Sequence, residues 1–316
     1  MKPFNHTNAK NLAEARTALA GGKANLIAGG TDLIGTLKDN VLPTHPATLV
    51  NIKTVVPGLD YIKEEAGMLK IGAATRLADI AGNAAINQKF TALAQAASRV
   101  GTPHVRDMAT IGGNLAQLHR CWYFRKPENR FNCIRKGGTT CFAMAGDNRY
   151  HSIFGAVNLC IAVHPSDVAP ALIALDAKVV TNKRTIPAES FFDVKIPVST
   201  VLAADEIITE IQVPAPPAGA KSAFIKFAIR KSIDFPIVNC AVRVGGGAPR
   251  ICLNAVAPKP YRALKAEAAL AGKPINEANA EAAGAAAVQD AKPLPATKYK
   301  VQIAKTLVKR ALLSTV

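Results

Sequence analysis

The chain has 316 residues and carries 39 Lys and Arg against 22 Asp and Glu, a formal net charge of +17. This length is enough for about two domains with sizeable cores. Hydrophobic residues make up 49% of the chain, but no apolar run reaches the roughly 20 residues of a membrane span. The polar N-terminus lacks the apolar core of a secretory signal, and six cysteines are too sparse for a disulfide scaffold. We therefore expect a soluble chain with no membrane partner and no export signal of its own.

The positive charge does not by itself indicate nucleic-acid binding. Lys and Arg are spread along the chain, with no RNP, zinc-finger or helix-turn-helix signature and a single Trp. An acidic protein partner explains the charge equally well, because complementary fields steer association. We expect protein partners and no nucleic acid, with charge kept for solubility as a further alternative.

The first two thirds of the chain predict small α/β units followed by an irregular stretch. The pattern predicts strands at 25–28, 47–52, 68–73, 158–163 and 206–213, helices at 32–38, 75–81, 86–100 and 168–175, a hairpin at 177–187, and loop at 102–119 and 120–155. An irregular stretch as long as 120–155 is unusual in a compact domain and indicates function or an insertion.

A proline-rich linker, Pro214–Gly219, separates a second unit. Beyond it the pattern predicts strands at 222–229, 238–244 and 251–256, then alanine-rich helices at 263–271, 276–289 and 296–314. The second unit is therefore predicted to be α+β.

Two glycine loops have the composition of phosphate-binding loops. Ile27–Leu33 (IAGGTDL) places successive backbone N–H groups, two of them on glycines without Cβ, at a helix N-terminus. Thr110–Asn114 (TIGGN) offers the same arrangement with hydroxyl and amide side chains for hydrogen bonds. Neither loop matches the GxGxxG or GxxxxGK pattern, so a Rossmann or P-loop site is not supported. Plain turns are the alternative interpretation.

Four cysteines follow the second loop: Cys121, Cys133, Cys141 and Cys160, spaced C-x11-C-x7-C-x18-C. Zinc sites usually draw ligands in tight C-x2-4-C pairs, whereas the loose spacing suits an iron–sulfur cubane with an iron at each corner. Residues 120–149 hold seven Lys or Arg and two acidic residues. Since a tetrathiolate cluster is a net anion, this basic segment would stabilise it.

Other interpretations of the cysteines stay open. Four ordinary buried thiols or a structural zinc would show the same sequence pattern, and a basic, zinc-stapled nucleic-acid-binding protein is the alternative from another class. Cys240 and Cys252 lie in apolar strand patterns and are expected to be core residues.

Three ordered motifs, Ala28–Leu33 (AGGTDL), Thr110–Asn114 (TIGGN) and Cys160–Asp167 (CIAVHPSD), resemble the FAD-binding medium subunits of molybdenum hydroxylases. Val256–Arg262 (VAPKPYR) is similar to the C-terminal domain motif of that family. The resemblance covers nearly the whole chain. Most members lack a cysteine-rich insert, and Cys121–Phe124 (CWYF) and the position of Cys160 are most similar to the aldehyde oxidoreductase flavoprotein type.

The resemblance implies an α+β fold in two parts. Residues 1–215 would form a two-subdomain FAD-binding domain of the PCMH or vanillyl-alcohol-oxidase-like type, with the [4Fe–4S] insert at about 120–160. Residues 220–316 would form the C-terminal α+β domain of the CO dehydrogenase flavoprotein type.

The resemblance also implies the cofactor contacts. The FAD diphosphate and ribose would contact the eight consecutive residues Leu26, Ile27, Ala28, Gly29, Gly30, Thr31, Asp32 and Leu33. Thr110, Gly113 and Asn114 would close over the diphosphate, Asp167 would bind the isoalloxazine or ribityl chain, and Lys226 would approach the pyrimidine edge. Asp167 as a helix N-cap and Lys226 as a solvated strand lysine are the structural alternatives. His164 is expected to be a packed, neutral histidine.

The same resemblance implies a heterotrimer in which this chain has no catalytic residue for the substrate. A molybdenum-cofactor large subunit and a [2Fe–2S] small subunit would deliver electrons to FAD, which would pass them to an external acceptor, possibly an acidic protein such as a ferredoxin. The β subunit of a 4-hydroxybenzoyl-CoA reductase-type enzyme is the alternative within the family. We expect a periplasmic location through co-export with a signal-bearing partner, or a cytoplasmic one.

Overall fold

The computed structural model describes residues 1–193 and 199–316. Among these residues the strands are β1 Asn5–Asn8, β2 Ala24–Ile27, β3 Thr48–Asn51, β4 Ile62–Glu65, β5 Met68–Gly72, β6 Lys178–Thr181, β7 Thr185–Pro187, β8 Ile208–Pro214, β9 Lys221–Phe227, β10 Val238–Val244, β11 Arg250–Asn254 and β12 Tyr261–Arg262. The α-helices of the same residues are α1 Leu12–Ala20, α2 Leu33–Lys38, α3 Leu77–Gly82, α4 Ala84–Lys89, α5 Thr91–Ser98, α6 Pro103–Met108, α7 Ile111–Ala116, α8 Phe142–Ala145, α9 Val168–Ala174, α10 Leu264–Leu270, α11 Glu277–Ala287 and α12 Lys298–Leu313. None of these helices is long and apolar enough to cross a membrane.

A small parallel sheet in the order β1-β3-β2 carries the first glycine loop. Strands β1 and β2 both pair with β3 in parallel, so the carboxyl ends of all three strands meet at one edge. The loop leaves this edge after β2 and enters α2. The edge of the sheet therefore fixes where the loop presents its backbone.

A second sheet has the order β4-β5-β8-β6-β7, with all its neighbours antiparallel. Its central strand, β8, is distant from β5 in the sequence, and it pairs with β5 on one side and β6 on the other. Helices α5 and α9 pack with this sheet in the largest apolar core, whose members include Ile71, Val179 and Ile211.

The C-terminal sheet, in the order β12-β11-β10-β9, lies between two cores. Cys240 and Val242 on β10 face the core that contains α10, α11 and α12. Ala241, the residue between them, belongs to the core of the preceding unit together with Phe224 and Cys252. Because side chains alternate along a strand, this sheet joins the two parts of the chain through a shared apolar layer.

The structure confirms most of the predicted elements and corrects four. The loop predicted at 120–155 contains the short helix α8, Phe142–Ala145. The predicted helix at 86–100 is wrong as one element, because Phe90 at φ −126° and ψ 47° separates α4 from α5. The loop predicted at 102–119 contains the two short helices α6 and α7. The strand predicted at 158–163 is wrong, because Asn158 and Leu159 have positive φ and only Val157 and Cys160 form an isolated bridge there. Cys240 and Cys252 are fully buried core residues, as predicted.

Candidate functional site

A single cavity of about 580 Å³ opens between the two glycine loops and the C-terminal sheet. Its volume lies within the usual range for small-molecule and cofactor sites. Each of the thirteen residues predicted for FAD lines it: Leu26, Ile27, Ala28, Gly29, Gly30, Thr31, Asp32, Leu33, Thr110, Gly113, Asn114, Asp167 and Lys226. The fold therefore brings together loops and side chains that are up to 200 positions apart in sequence.

The first loop needs its glycines. A Cβ added to Gly29 would lie 1.9 Å from the carbonyl oxygen of Met108, and Gly30 has φ +69°. The backbone of the loop therefore passes directly over the end of α6. Only a residue without a side chain at position 29 allows this approach, and both glycines line the cavity.

The second loop is held against the connection between β5 and α3 by backbone hydrogen bonds. Ile111 N donates to Thr75 O at 3.0 Å, and Gly112 N donates to Ala73 O at 2.9 Å. The Thr110 hydroxyl accepts from Gly113 N at 3.2 Å. Asn114 is buried, and its Oδ1 accepts from the Ser166 hydroxyl at 2.5 Å. This network fixes the second loop opposite the first.

A buried ion pair forms another wall of the cavity. Lys226 Nζ on β9 lies 2.7 Å from Asp167 Oδ2 at the start of α9, and the two side chains are 2% and 3% exposed. Asn239 Nδ2 donates to Asp167 Oδ1 at 2.7 Å, and Lys226 also donates to Arg99 O. Burial raises the pKa of Asp167, and the adjacent ammonium of Lys226 opposes this shift. Lys226 is therefore not a solvated lysine, and Asp167 occupies the N-cap position of α9 without a side-chain capping bond.

Asp32 lines the cavity, but its carboxylate binds other groups of the protein. Its Oδ1 lies 2.7 Å from Arg125 Nη2 and 2.9 Å from Arg120 Nη2. Its Oδ2 accepts from Leu118 N at 2.8 Å. This carboxylate therefore ties the first glycine loop to the start of the cysteine-rich insert.

Sequence analysis missed Ser166, Asn239 and Asn254 as parts of the site. Asn254 Nδ2 on β11 donates to Ser166 O at 2.7 Å, while Asn239 on β10 holds Asp167. All three residues are fully buried. The sequence does contain a sign of these site residues: Asn239 and Asn254 stand in otherwise apolar strands, and a buried amide needs hydrogen-bond partners.

Of the four cysteines of the insert, Cys133 and Cys121 pack in one small apolar cluster with Phe124. All four carry free thiols. Burial raises the pKa of Cys121 to about 12, and the N–H groups of Phe124 and Tyr123 oppose that shift by hydrogen bonding.

Side-chain nitrogens lie within hydrogen-bonding distance of two of the four sulfurs. Arg135 Nε donates to Cys160 Sγ at 3.0 Å, and His151 Nε2 lies 3.2 Å from Cys121 Sγ. Hydrogen bonding by the Arg135 backbone lowers the pKa of Cys133 against the effect of burial. These groups fit an anionic thiolate set. No three His, Cys, Asp or Glu side chains in the described part of the chain are arranged to hold a metal ion.

His164 is a packed histidine, as predicted. Its ring lies 4.5 Å from that of Phe192 and 6.1 Å from that of His119, measured between centroids. Burial lowers the pKa of His164 to about 3, so the ring is neutral at ordinary pH. His164 therefore packs against His119 and Phe192.

Comparison with known families identifies this combination of fold and cavity. The family described as the FAD binding domain in molybdopterin dehydrogenase matches residues 2–216. The family described as the CO dehydrogenase flavoprotein C-terminal domain matches residues 223–315. The chain belongs to the FAD-binding medium subunits of the molybdenum hydroxylases.

Individual relatives cover most of the chain. The aldehyde oxidoreductase FAD-binding subunit of Escherichia coli is 35% identical over 284 residues, which cover 85% of this chain and 86% of that protein. The carbon monoxide dehydrogenase medium chain of Hydrogenophaga pseudoflava is 29% identical over 98% of this chain and 96% of its own length. A solved carbon monoxide dehydrogenase from the same organism has a TM-score of 0.76 and 28% identity, over 100% of this chain and 98% of that one.

Proposed function

We propose that the chain is the FAD and [4Fe–4S] electron-transfer subunit of a heterotrimeric, molybdenum-containing aldehyde oxidoreductase. The similarity to the Escherichia coli aldehyde oxidoreductase subunit supports the type of complex. The convergence of all thirteen predicted contacts on one cavity supports the cofactor and carries the proposal. Oxidation of an aldehyde with water to a carboxylic acid would release two electrons and two protons on a partner subunit.

The chain's own residues would hold FAD at three places. Backbone N–H groups of the two glycine loops would bind the diphosphate, as anions bind at such loops. Asp167 and Lys226 would orient the polar edge of the ring system, and the positive charge of Lys226 would favour the electron-rich form of the cofactor there. When bound, FAD supplies the ability to take electrons singly from iron–sulfur centres and to deliver one or two outward.

The cysteine group would hold the cluster. The loose spacing of the four cysteines in the sequence fits a cubane, in which each sulfur binds a different iron and the sulfurs do not converge on one ion. A single tetrahedral zinc would require all four sulfurs about 2.3 Å from one point. Arg135 and His151 would hydrogen-bond two of the four ligand sulfurs.

The proposal is tested on the complex purified with its partner subunits. We expect flavin absorbance and iron in excess of that in the [2Fe–2S] centres. Cys133→Ser and Cys141→Ser should each lower iron and keep flavin, because the glycine loops lie outside the insert. The control is Cys240→Ala, a buried core thiol outside the group, which should keep all the iron. Absence of flavin, or full iron in both serine variants, would contradict the proposal.

A substrate screen separates the two reaction types within the family. The complex should oxidise aromatic aldehydes and leave aryl-CoA thioesters unreduced when a strong reductant is supplied. The opposite result would assign the chain to the 4-hydroxybenzoyl-CoA reductase type.

A further inference from the structure

A second cavity, of about 400 Å³, adjoins the flavin cavity. Its size is within the usual range for small-molecule sites. The two cavities share four lining residues, Arg120, Pro165, Asp234 and Phe235, so a molecule in the second cavity would lie next to the first. None of the thirteen residues predicted to contact FAD lines the second cavity. The predicted FAD contacts therefore do not account for it.

Aromatic side chains form walls of the second cavity. The ring centres of Trp122 and Tyr150 lie 5.3 Å apart, and the guanidinium carbon of Arg120 lies 4.5 Å from the centre of the Phe235 ring. Trp122 and Phe235 are both partly exposed, so the cavity can be reached from solvent. Because aromatic rings attract one another in offset-stacked and edge-to-face arrangements, these walls suit a flat aromatic molecule.

Three lining side chains carry a buried nitrogen that has no hydrogen-bond partner within residues 1–193 and 199–316. These atoms are His164 Nε2, His151 Nδ1 and Arg120 Nε. Buried polar groups are nearly always hydrogen-bonded, so each such nitrogen needs an explanation. Three of them around one cavity indicate an occupant that carries polar atoms as well as an aromatic ring.

His164 supplies a hydrogen-bond donor. Its Nδ1 accepts from Ser166 N at 3.4 Å, and burial lowers the pKa of the ring to about 3, so the ring is neutral at ordinary pH. A neutral imidazole carries one proton, and the bond from Ser166 leaves that proton on Nε2. The ligand atom that fits His164 is therefore a hydrogen-bond acceptor, such as a carbonyl oxygen.

The two arginines of the cavity wall are already paired with carboxylates. Arg120 Nη2 lies 2.9 Å from Asp32 Oδ1, and Arg230 Nη2 lies 2.5 Å from Asp234 Oδ1. An anionic ligand would have to compete with these carboxylates and would lose its own hydration in an aromatic site. An uncharged ligand leaves both ion pairs intact. The arrangement therefore favours a ligand without charge.

We propose that the second cavity binds an uncharged aromatic carbonyl compound of the quinone class, with one carbonyl oxygen accepting from His164 Nε2 and the ring against Trp122. The role of this ligand rests on the proposed function, since a quinone next to the flavin cavity would be the external electron acceptor. The quinone would take two electrons from reduced flavin and two protons, one on each carbonyl oxygen, and leave as the hydroquinone. Binding itself requires neither the cysteine group nor turnover.

Binding is measured by isothermal titration calorimetry on the fully oxidised, flavin-loaded complex, which has no electrons to give to the ligand. The probe is tetramethyl-1,4-benzoquinone, because its fully substituted ring does not add to thiols. Trp122→Ala removes an aromatic wall, and His164→Phe keeps a ring but removes the donor. Each variant should weaken binding about tenfold. His164→Gln, which keeps an N–H at the corresponding position, should bind nearly as well as the wild type.

Phe227→Ala is the matched control, because Phe227 is an exposed aromatic residue near the cavity in sequence but does not line it. Its affinity for the probe should equal that of the wild type. Absence of binding in the wild type, or the same affinity in Trp122→Ala and Phe227→Ala, would overturn the inference. Binding only after removal of flavin would also overturn it, since the probe would then occupy the flavin cavity. If His164→Phe loses flavin, Trp122→Ala decides alone.

The role as acceptor site is tested by stopped-flow reoxidation of the aldehyde-reduced complex. The ratio of the rate with the quinone to the rate with hexacyanoferrate(III), a highly charged ion unsuited to an aromatic cavity, should fall about tenfold in Trp122→Ala. An unchanged ratio would remove this role. Ubiquinone in phosphatidylcholine vesicles, used as a further acceptor, distinguishes a membrane-borne quinone from a soluble one.

Failure of the proposed function gives a different result. The wild-type complex would then lack flavin, or aldehyde would not reduce it, and no reoxidation could be followed. The calorimetric affinities do not depend on aldehyde oxidation, so they report on the cavity in either case.

Discussion

Lys226 on β9 and Asp167 before α9 form an ion pair of 2.7 Å that is almost completely removed from solvent. They come from the two parts of the chain that the linker Pro214–Gly219 connects. Both side chains also line the flavin cavity. The same ion pair therefore holds the two parts of the chain together and shapes the site.

Lys226→Met should therefore weaken both folding and cofactor binding. Asp167 would remain buried opposite only Asn239, and breaking a buried pair from one side costs about 3–5 kcal/mol. Urea unfolding of the subunit and flavin content after purification measure the two effects. Lys221→Met, at the exposed start of the same strand, should change the stability by less than about 0.5 kcal/mol. Equal behaviour of the two variants would contradict the importance of the pair.

Two glycines a few residues apart should respond in opposite ways to alanine. Gly29→Ala places a Cβ against the Met108 carbonyl, so we expect a loss of about 1–3 kcal/mol and most of the flavin. Gly35→Ala lies within α2, where a Cβ meets nothing within 4 Å. That variant should gain about 0.5–1 kcal/mol and keep its flavin. Flavin retention by Gly29→Ala would show that the loop does not need this close approach.

Asp32→Asn tests the link between the first glycine loop and the insert. The loss of two charge-assisted contacts, to Arg120 and Arg125, should cost about 1–3 kcal/mol and expose the insert to proteases. Limited proteolysis with mapping of the cleavage sites to 120–155 measures this effect. Asp79→Asn breaks an exposed pair with Arg76 and should cost less than about 1 kcal/mol, with no change in cleavage.

Lys300→Met should remove the hydrogen bonds that hold α12 against the end of the insert, and so lower the stability of the chain. Lys300 is fully buried, and its Nζ donates to the carbonyls of His151 and Ala255 at 2.9 and 2.5 Å. The variant would leave these carbonyls unpaired at a cost of about 1–3 kcal/mol. Lys298→Met, an exposed neighbour on the same helix, is the matched control and should be nearly neutral.

The pH dependence of this effect follows from the pKa of Lys300. Burial lowers that pKa from 10.5 to about 7, so between these values the unfolded state binds more protons than the folded state. The stability contributed by Lys300 therefore rises with pH from about 7 to about 10.5. Urea midpoints across this range should diverge between the wild type and Lys300→Met as pH rises. Parallel curves would show that Lys300 does not titrate there.

Both glycine loops line the cavity, and the sequence indicated them because their signals are local. A short apolar strand followed by two glycines marks the first loop in the sequence, whereas its contacts with Met108, Arg120 and Arg125 depend on the fold. The motif also placed Asp167 and Lys226 in the site, through similarity to a family. It could not show that they bind each other, because that contact depends on how β9 packs against α9.

The errors have equally physical reasons. Helices α6 and α7 have six residues each, too short for apolar periodicity to appear, although Thr102 and Thr110 do cap them. The run Ile161–Val163 looked like a strand because it is apolar and β-branched in part. In the fold it is buried without a regular ladder, since Ser152 and Ala257 supply isolated backbone hydrogen bonds to this region.

The central position of β8 has a consequence for synthesis of the chain. Strands β5 and β6 each present an open edge until residues 208–214 leave the ribosome, by which time all four cysteines of the insert have emerged. Unpaired strand edges are templates for association with other chains. We expect fragments that end before residue 208 to aggregate.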